Sequence, residues 1–155
     1  MRRKEKEITE SEIIGSIFEK ADVCHVAFAD NNTPYIVTMN YGYVLGSENA
    51  LFFHCAPEGR KIEMMKKNSR VCFTIETDHR LYTGQKACDW GMKYRSVVGY
   101  GHLTEVTGAD ERKAALVHIM EHHGASGLDN FDERVLARTK VLRLDITEMT
   151  GKQSI

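Results

Sequence analysis

The sequence predicts a mainly β fold with some helix (α+β): a barrel of six or so largely antiparallel strands with flanking helices. Short apolar runs alternate with period two, as strands with one buried face do. Turn signals such as Asp30-Asn31-Asn32-Thr33-Pro34 join the early runs, so neighbours pair as antiparallel hairpins. The regular strand–helix alternation of a parallel nucleotide-binding sheet is missing. Closing several short strands into a barrel removes exposed edges. A chain of 155 residues favours one domain over two, and no linker divides it.

The elements follow in order. Residues 1–7 are almost all charged and read as a flexible, solvated tail. Thr9 or Ser11 can cap a helix over about 10–20, where Ile13, Ile14, Ile17 and Phe18 fall at helical spacing. Asp22 to Ala29 is β-like, with Val23, Val26 and Phe28 as strand formers, and Tyr35 to Val44 is its hairpin partner. Ala50 to Cys55 is a third strand. A helix spans about 59–68, with Ile62 and Met65 on its apolar face, and Val71 to Thr77 alternates again. Residues 78–93 carry no clear period and read as a long loop, with a short strand inside it as the alternative. Arg95 to Thr107 is a strand interrupted by Gly99 and Gly101, which mark a bulge, a bend or a close backbone approach. Ala109 to His123 is a helix, Asp129 to Ala137 a short one, and Lys140 to Met149 the last strand.

Charge and composition exclude several classes of function. Lys and Arg total 21 against 22 Asp and Glu, so no net positive charge favours nucleic acid or an anionic membrane. No apolar run approaches the ~18 residues of a membrane span. The charged first residues are unlike a secretory leader, so a cytoplasmic protein with reduced thiols is expected. Of the four cysteines, Cys24 and Cys72 lie in apolar alternating runs as small hydrophobes, while Cys55 and Cys88 sit at segment ends. No C-x-x-C pair is present, which disfavours a zinc ribbon or a thioredoxin-type site. His118-Ile119-Met120-Glu121-His122 matches H-x-x-E-H, yet no third ligand follows it, so a surface helix end is preferred and no metal is expected.

The most informative segment is His54-Cys55-Ala56-Pro57-Glu58-Gly59-Arg60-Lys61. Cations at a helix start oppose the positive end of the helix dipole. An anion there reverses the penalty, and free N–H groups, a glycine and two cations make a phosphate site. From Arg60 to Arg70 the chain holds five basic residues and one acid, Glu63. The usual nucleotide glycine motifs are missing.

The runs Pro34-Tyr35-Ile36-Val37-Thr38-Met39-Asn40-Tyr41, Phe52-Phe53-His54-Cys55-Ala56, Gly59-Arg60-Lys61-Ile62 and Tyr94-Arg95-Ser96-Val97-Val98-Gly99-Tyr100-Gly101 resemble the pyridoxamine 5′-phosphate oxidase-like flavoproteins, above all the 5-nitroimidazole-resistance group. The resemblance implies an FMN-binding split β-barrel over 1–155, with the flavin at a homodimer interface. It places Arg60 and Lys61 on the FMN phosphate beside Gly59. It puts His54, Cys55 and Ala56 along the flavin, with His54 as the catalytic proton or hydrogen-bond donor. Val37, Thr38, Met39 and Asn40 would run beside the isoalloxazine ring, and Ser96 and Val97 would approach it from the partner subunit. Trp90 would be buried at the dimer interface or pack over the partner's flavin. The implied activity is reduction of a small organic substrate such as a nitroaromatic, with NAD(P)H as donor. A non-catalytic flavin binder, or a protein using deazaflavin or haem, is the alternative. The C-terminal Trp and Arg-Leu-x-Pro stretch of true pyridoxamine-phosphate oxidases has no counterpart, so vitamin B6 oxidation is not expected.

Overall fold

The computed structural model describes residues 3–154. After a 3-10 turn at Lys4–Lys6, the elements are β1 (Glu7–Ile8), α1 (Ser11–Lys20), β2 (Cys24–Asp30), β3 (Thr33–Met39), β4 (Gly42–Val44), β5 (Ala50–Cys55), α2 (Arg60–Lys67), β6 (Arg70–Tyr82), β7 (Gly91–Glu105), α3 (Ala109–His122), α4 (Glu133–Leu136) and β8 (Lys140–Ser154). All pairings are antiparallel. The strand order is β3-β2-β6-β7-β8-β5-β4, with β1 added beside β8. The expected fold class holds, with eight strands among the described residues rather than six or so. The sheet does not close through hydrogen bonds: β3 and β4 each have one neighbour among the described residues.

Local chemistry accounts for most elements. Asn31 and Asn32 both take positive φ, 46° and 63°, as the two-residue turn of the β2–β3 hairpin requires. Cys24, Val26 and Phe28 alternate into the core. Tyr41 is fully buried where one long strand was expected, and the chain bends there between β3 and β4. Gly101 sits at a register shift between β7 and β8, and a Cβ added to it would lie 2.1 Å from the Asp145 carbonyl oxygen. Two of the three readings of that glycine, a bulge and a close approach, are present.

The larger core lies on one face of the sheet and takes Ile17 and Phe18 from α1 and Ile62, Met64 and Met65 from α2. A second cluster packs Leu116 and Ile119 of α3 and Leu136, the last residue of α4, onto Ala50, Phe52 and Val141.

Three expectations are corrected. The 1–7 tail is structured where described: Glu7 and Ile8 pair with Lys152 and Gly151, while residues 1–2 lie outside the described residues. The helix near residue 10 is capped by neither Thr9 nor Ser11; Glu10 is its N-cap residue and supplies no side-chain cap bond. The 78–93 loop is instead a two-stranded arm, in which β6 and β7 pair as far as Tyr82 and Gly91. A bulge with Asp78 at φ 59° breaks the alternation that would have revealed it.

Candidate functional site

The site begins at the end of β5. Successive strand residues face opposite ways. Leu51, Phe53 and Cys55 point into the larger core, while Ala50 and Phe52 pack beneath α3, and His54 shares their face. His54 and Cys55, expected to line one site together, therefore project from opposite faces. His54 is exposed and opens on a cavity of about 210 Å³ that includes Leu116, Ile119, Phe131 and Thr139. Burial raises the pKa of the Cys55 thiol, and the nearby Lys61 and Lys140 charges partly offset this.

The chain then turns through Ala56, which is exposed, to Gly59. Gly59 has φ 124°, a backbone state open mainly to glycine, and space around its Cα is free. Its carbonyl oxygen accepts the first bonds of α2, from Ile62 N–H at 2.9 Å and Glu63 N–H at 3.2 Å. Among the described residues, no side chain caps the helix start.

Both cations of the first turn reach toward β3. The Arg60 guanidinium carbon lies 4.6 Å from the centre of the Tyr35 ring. Lys61 Nζ lies 3.8 Å from Met39 Sδ. Neither cation has a carboxylate partner among the described residues. Further along the same segment, Lys67 pairs with Asp30 at 2.7 Å and Arg70 with Glu148 at 3.3 Å. Lys67 and Arg70 are thus paired, whereas Arg60 and Lys61 at the helix start, like Lys66, have no carboxylate partner among the described residues, and helix N–H groups add to the positive charge at that start.

The structure brings together Met39, Gly59, Arg60 and Lys61, with Cys55 close enough to feel Lys61. Val37 is half-buried on the core face of β3, while Thr38 and Asn40 are exposed. β3 is an edge strand, so one row of its backbone N–H and C=O groups has no sheet partner. Ser96 and Val97 lie on β7, separated from β3 by β2 and β6, and do not join this cluster within one chain. Ser96 is buried, and the Val97 carbonyl oxygen accepts from Thr74 Oγ1 at 3.1 Å. Trp90 is 54% exposed on the arm, its Nε1–H donating to the Gly84 carbonyl oxygen.

Two residues escaped the sequence reading. Tyr35 sits under Arg60, and nothing in the spacing links a strand aromatic to a cation 25 positions later. His25 lies opposite Thr38, and its Nδ1 is buried without a hydrogen-bond partner among the described residues. It belongs to the outward face of β3-β2-β6-β7, which no described helix of the second cluster covers. Two rows cross that face: Ile36–Ala27–Cys72–Tyr100 and Thr38–His25–Thr74–Val98. Ile36 is 64% exposed, and Val98 and Tyr100 are 40% exposed each. Cys72 is half-buried here, outside the core expected for it.

The H-x-x-E-H pair is engaged in packing, more than a surface helix end requires. His122 lies 4.5 Å from the Tyr41 ring centre, with Nε2 2.9 Å from the Ala21 carbonyl oxygen. His118 stacks on Phe52 at 5.3 Å.

The family model described as pyridoxamine 5′-phosphate oxidase matches residues 10–153. A crystal structure from Bacteroides thetaiotaomicron, provisionally named a 5-nitroimidazole antibiotic resistance protein, is 32% identical, with a TM-score of 0.82 over 95% of this chain and 86% of that one. The flavocytochrome Anf3 from Azotobacter vinelandii is 16% identical, with a TM-score of 0.83 over 100% of this chain and 72% of that one. The FAD and haem binding protein from Mycobacterium smegmatis is also 16% identical, with a TM-score of 0.83 over 96% and 73%. At that identity the last two share the fold. No curated protein matches the chain.

Proposed function

The chain belongs to the pyridoxamine 5′-phosphate oxidase family, and from that premise we propose that it is an FMN-dependent oxidoreductase. The carrying observation is the pair Arg60 and Lys61, two cations without carboxylate partners among the described residues, beside the open backbone of Gly59 and the uncapped start of α2. Such a cradle fits a phosphate monoester, whose oxygens take several charge-assisted N–H bonds.

In this reading Arg60, Lys61 and the first N–H groups of α2 hold the phosphate. The free edge of β3 at Val37, Thr38, Met39 and Asn40 offers backbone groups to the ring system, with Cys55 and Ala56 nearby. FMN supplies hydride and electron transfer from NAD(P)H to an acceptor. A small nitroaromatic acceptor is the substrate class, by way of the name carried by the 32% identical structure. His54, the expected catalytic donor, opens on the separate cavity beside α3 and α4, on the face of β5 opposite Cys55, and so does not join this cradle within one chain.

The working unit is a homodimer. Ile36, Val98 and Tyr100 form an apolar strip with the unpartnered His25 beside them, a surface that a second subunit would cover. Ser96 and Val97 then serve the partner's flavin. A cytoplasmic location belongs to the same reading. Among the described residues, no helix is long and apolar enough to cross a membrane.

The absorbance spectrum of purified protein tests the cofactor. A flavin spectrum is expected, retained or regained on adding FMN. Protein that stays colourless with added FMN overturns the reading, and a Soret band points to haem instead. Oxidation of NAD(P)H with a nitroaromatic then separates an enzyme from a flavin binder.

A further inference from the structure

We propose that Tyr35 is a positioning residue, whose ring holds the Arg60 guanidinium ready for the phosphate. The proposal rests on the phosphate reading above and adds to it the residue that prepares the site.

Tyr35 stands on the core-facing side of β3, directly after Pro34, and pairs with Phe28 across the hairpin. Its ring lies 6.2 Å from that of Phe28, which is buried. The ring is therefore anchored in the core on one side. On the other it meets Arg60, whose guanidinium carbon is 4.6 Å from the ring centre, inside the ~6 Å range of cation–π attraction.

Arg60 is exposed, and its side chain makes no ion pair among the described residues. A free arginine samples many rotamers, and ordering it on binding weakens affinity. Contact with the ring restricts that motion before any ligand arrives. It also spares the guanidinium N–H groups, because the attraction runs through the ring's π cloud and not through a hydrogen bond. A carboxylate in the same place would restrain Arg60 too, but would neutralise it and occupy those donors. An aromatic partner keeps both the charge and the donors for an anion.

The test compares FMN with riboflavin, which has the same ring system and no phosphate. Dissociation constants from flavin fluorescence quenching are measured for the native chain, Tyr35→Leu, Tyr35→Phe, Arg60→Ala and the Tyr35→Leu/Arg60→Ala pair. Tyr35→Leu should weaken FMN about three- to tenfold while riboflavin affinity is unchanged. Tyr35→Phe keeps a ring and should stay within about twofold. On an Arg60→Ala background, Tyr35→Leu should add nothing. Equal weakening of FMN and riboflavin by Tyr35→Leu, or full additivity with Arg60→Ala, overturns the proposal. An FMN preference lost in Arg60→Ala but kept in Tyr35→Leu overturns this proposal alone. A preference untouched by Arg60→Ala overturns the phosphate reading as well.

Discussion

The Tyr41 hydroxyl donates to the Phe18 carbonyl oxygen at 2.7 Å, with the Ala21 carbonyl oxygen 3.0 Å away. One buried phenol thus ties the end of α1 to the bend between β3 and β4. The Ala21 carbonyl oxygen is shared with His122 Nε2, so the C-terminal end of α3 joins the same knot. Tyr41→Phe keeps the ring and removes the donor, and should cost about 1–2 kcal/mol of stability, read from urea unfolding.

Two glycines are set by close approach. A Cβ on Gly42 would lie 2.5 Å from the backbone of α3 at His118 and Ile119, and one on Gly101 would lie 2.1 Å from the Asp145 carbonyl oxygen. Neither obstacle is a flexible side-chain end. Gly42→Ala and Gly101→Ala should each destabilise by about 1–3 kcal/mol or more, as overpacking does. Differential scanning calorimetry checks this, with Gly15→Ala as the contrast, since nothing lies within 4 Å of a Cβ there.

His122 makes stability depend on pH. Burial lowers its pKa from the usual 6.5, and His123 lowers it further, while the bond to Ala21 and the charge of Asp22 oppose this. The aromatic rings of Tyr41 and Tyr43 face it as well. The folded chain then binds fewer protons than the unfolded chain just below pH 6.5, and stability falls as pH drops through that window. Denaturant midpoints at pH 7.5 and pH 5 should differ, and His122→Gln should reduce the difference. An unchanged difference in His122→Gln would show that other groups carry it.

The apolar strip makes the dimer testable. Ile36→Glu with Val98→Glu places charges on two exposed positions of one face, where a lone chain tolerates them. Sedimentation velocity should show the native chain as a dimer and the variant as a folded monomer. Flavin retention should fall with the dimer. A native chain that sediments as a monomer at micromolar concentration would sink the interface.

Paired Arg60→Ala and Lys61→Ala should weaken FMN at least about tenfold, since each removes a charge-assisted contact. Circular dichroism should show the fold intact, because Arg60 is exposed and neither cation has an ion-pair partner to orphan among the described residues.

Much of this was legible in the sequence. Asp30-Asn31-Asn32-Thr33-Pro34 announced the hairpin, and the structure narrows its turn to Asn31 and Asn32, which both take positive φ. Gly59-Arg60-Lys61 stood out because cations at a helix start are unfavourable without an anion, and the structure leaves both without a carboxylate partner among the described residues. The arm was not legible, because one extra residue at Asp78 shifts the alternation and exposes apolar groups at its tip, Leu81 and Met92 among them. Nor was the strand pairing of Glu7 and Ile8, whose partners Lys152 and Gly151 lie at the opposite end of the chain.

The sequence by itself determined the β-rich class, the hairpin, the helix positions and the basic cluster, because each depends on neighbours within a few residues. Only the tertiary structure decided which members of that cluster remain uncompensated. Asp30 reaches Lys67 and Glu148 reaches Arg70 through the sheet, while Arg60 meets the Tyr35 ring instead. It also decided that His54 and Cys55 serve different faces of β5 and different cores. Charge neutralisation and facing are properties of packed strands, and they are fixed by contacts between residues far apart in the chain.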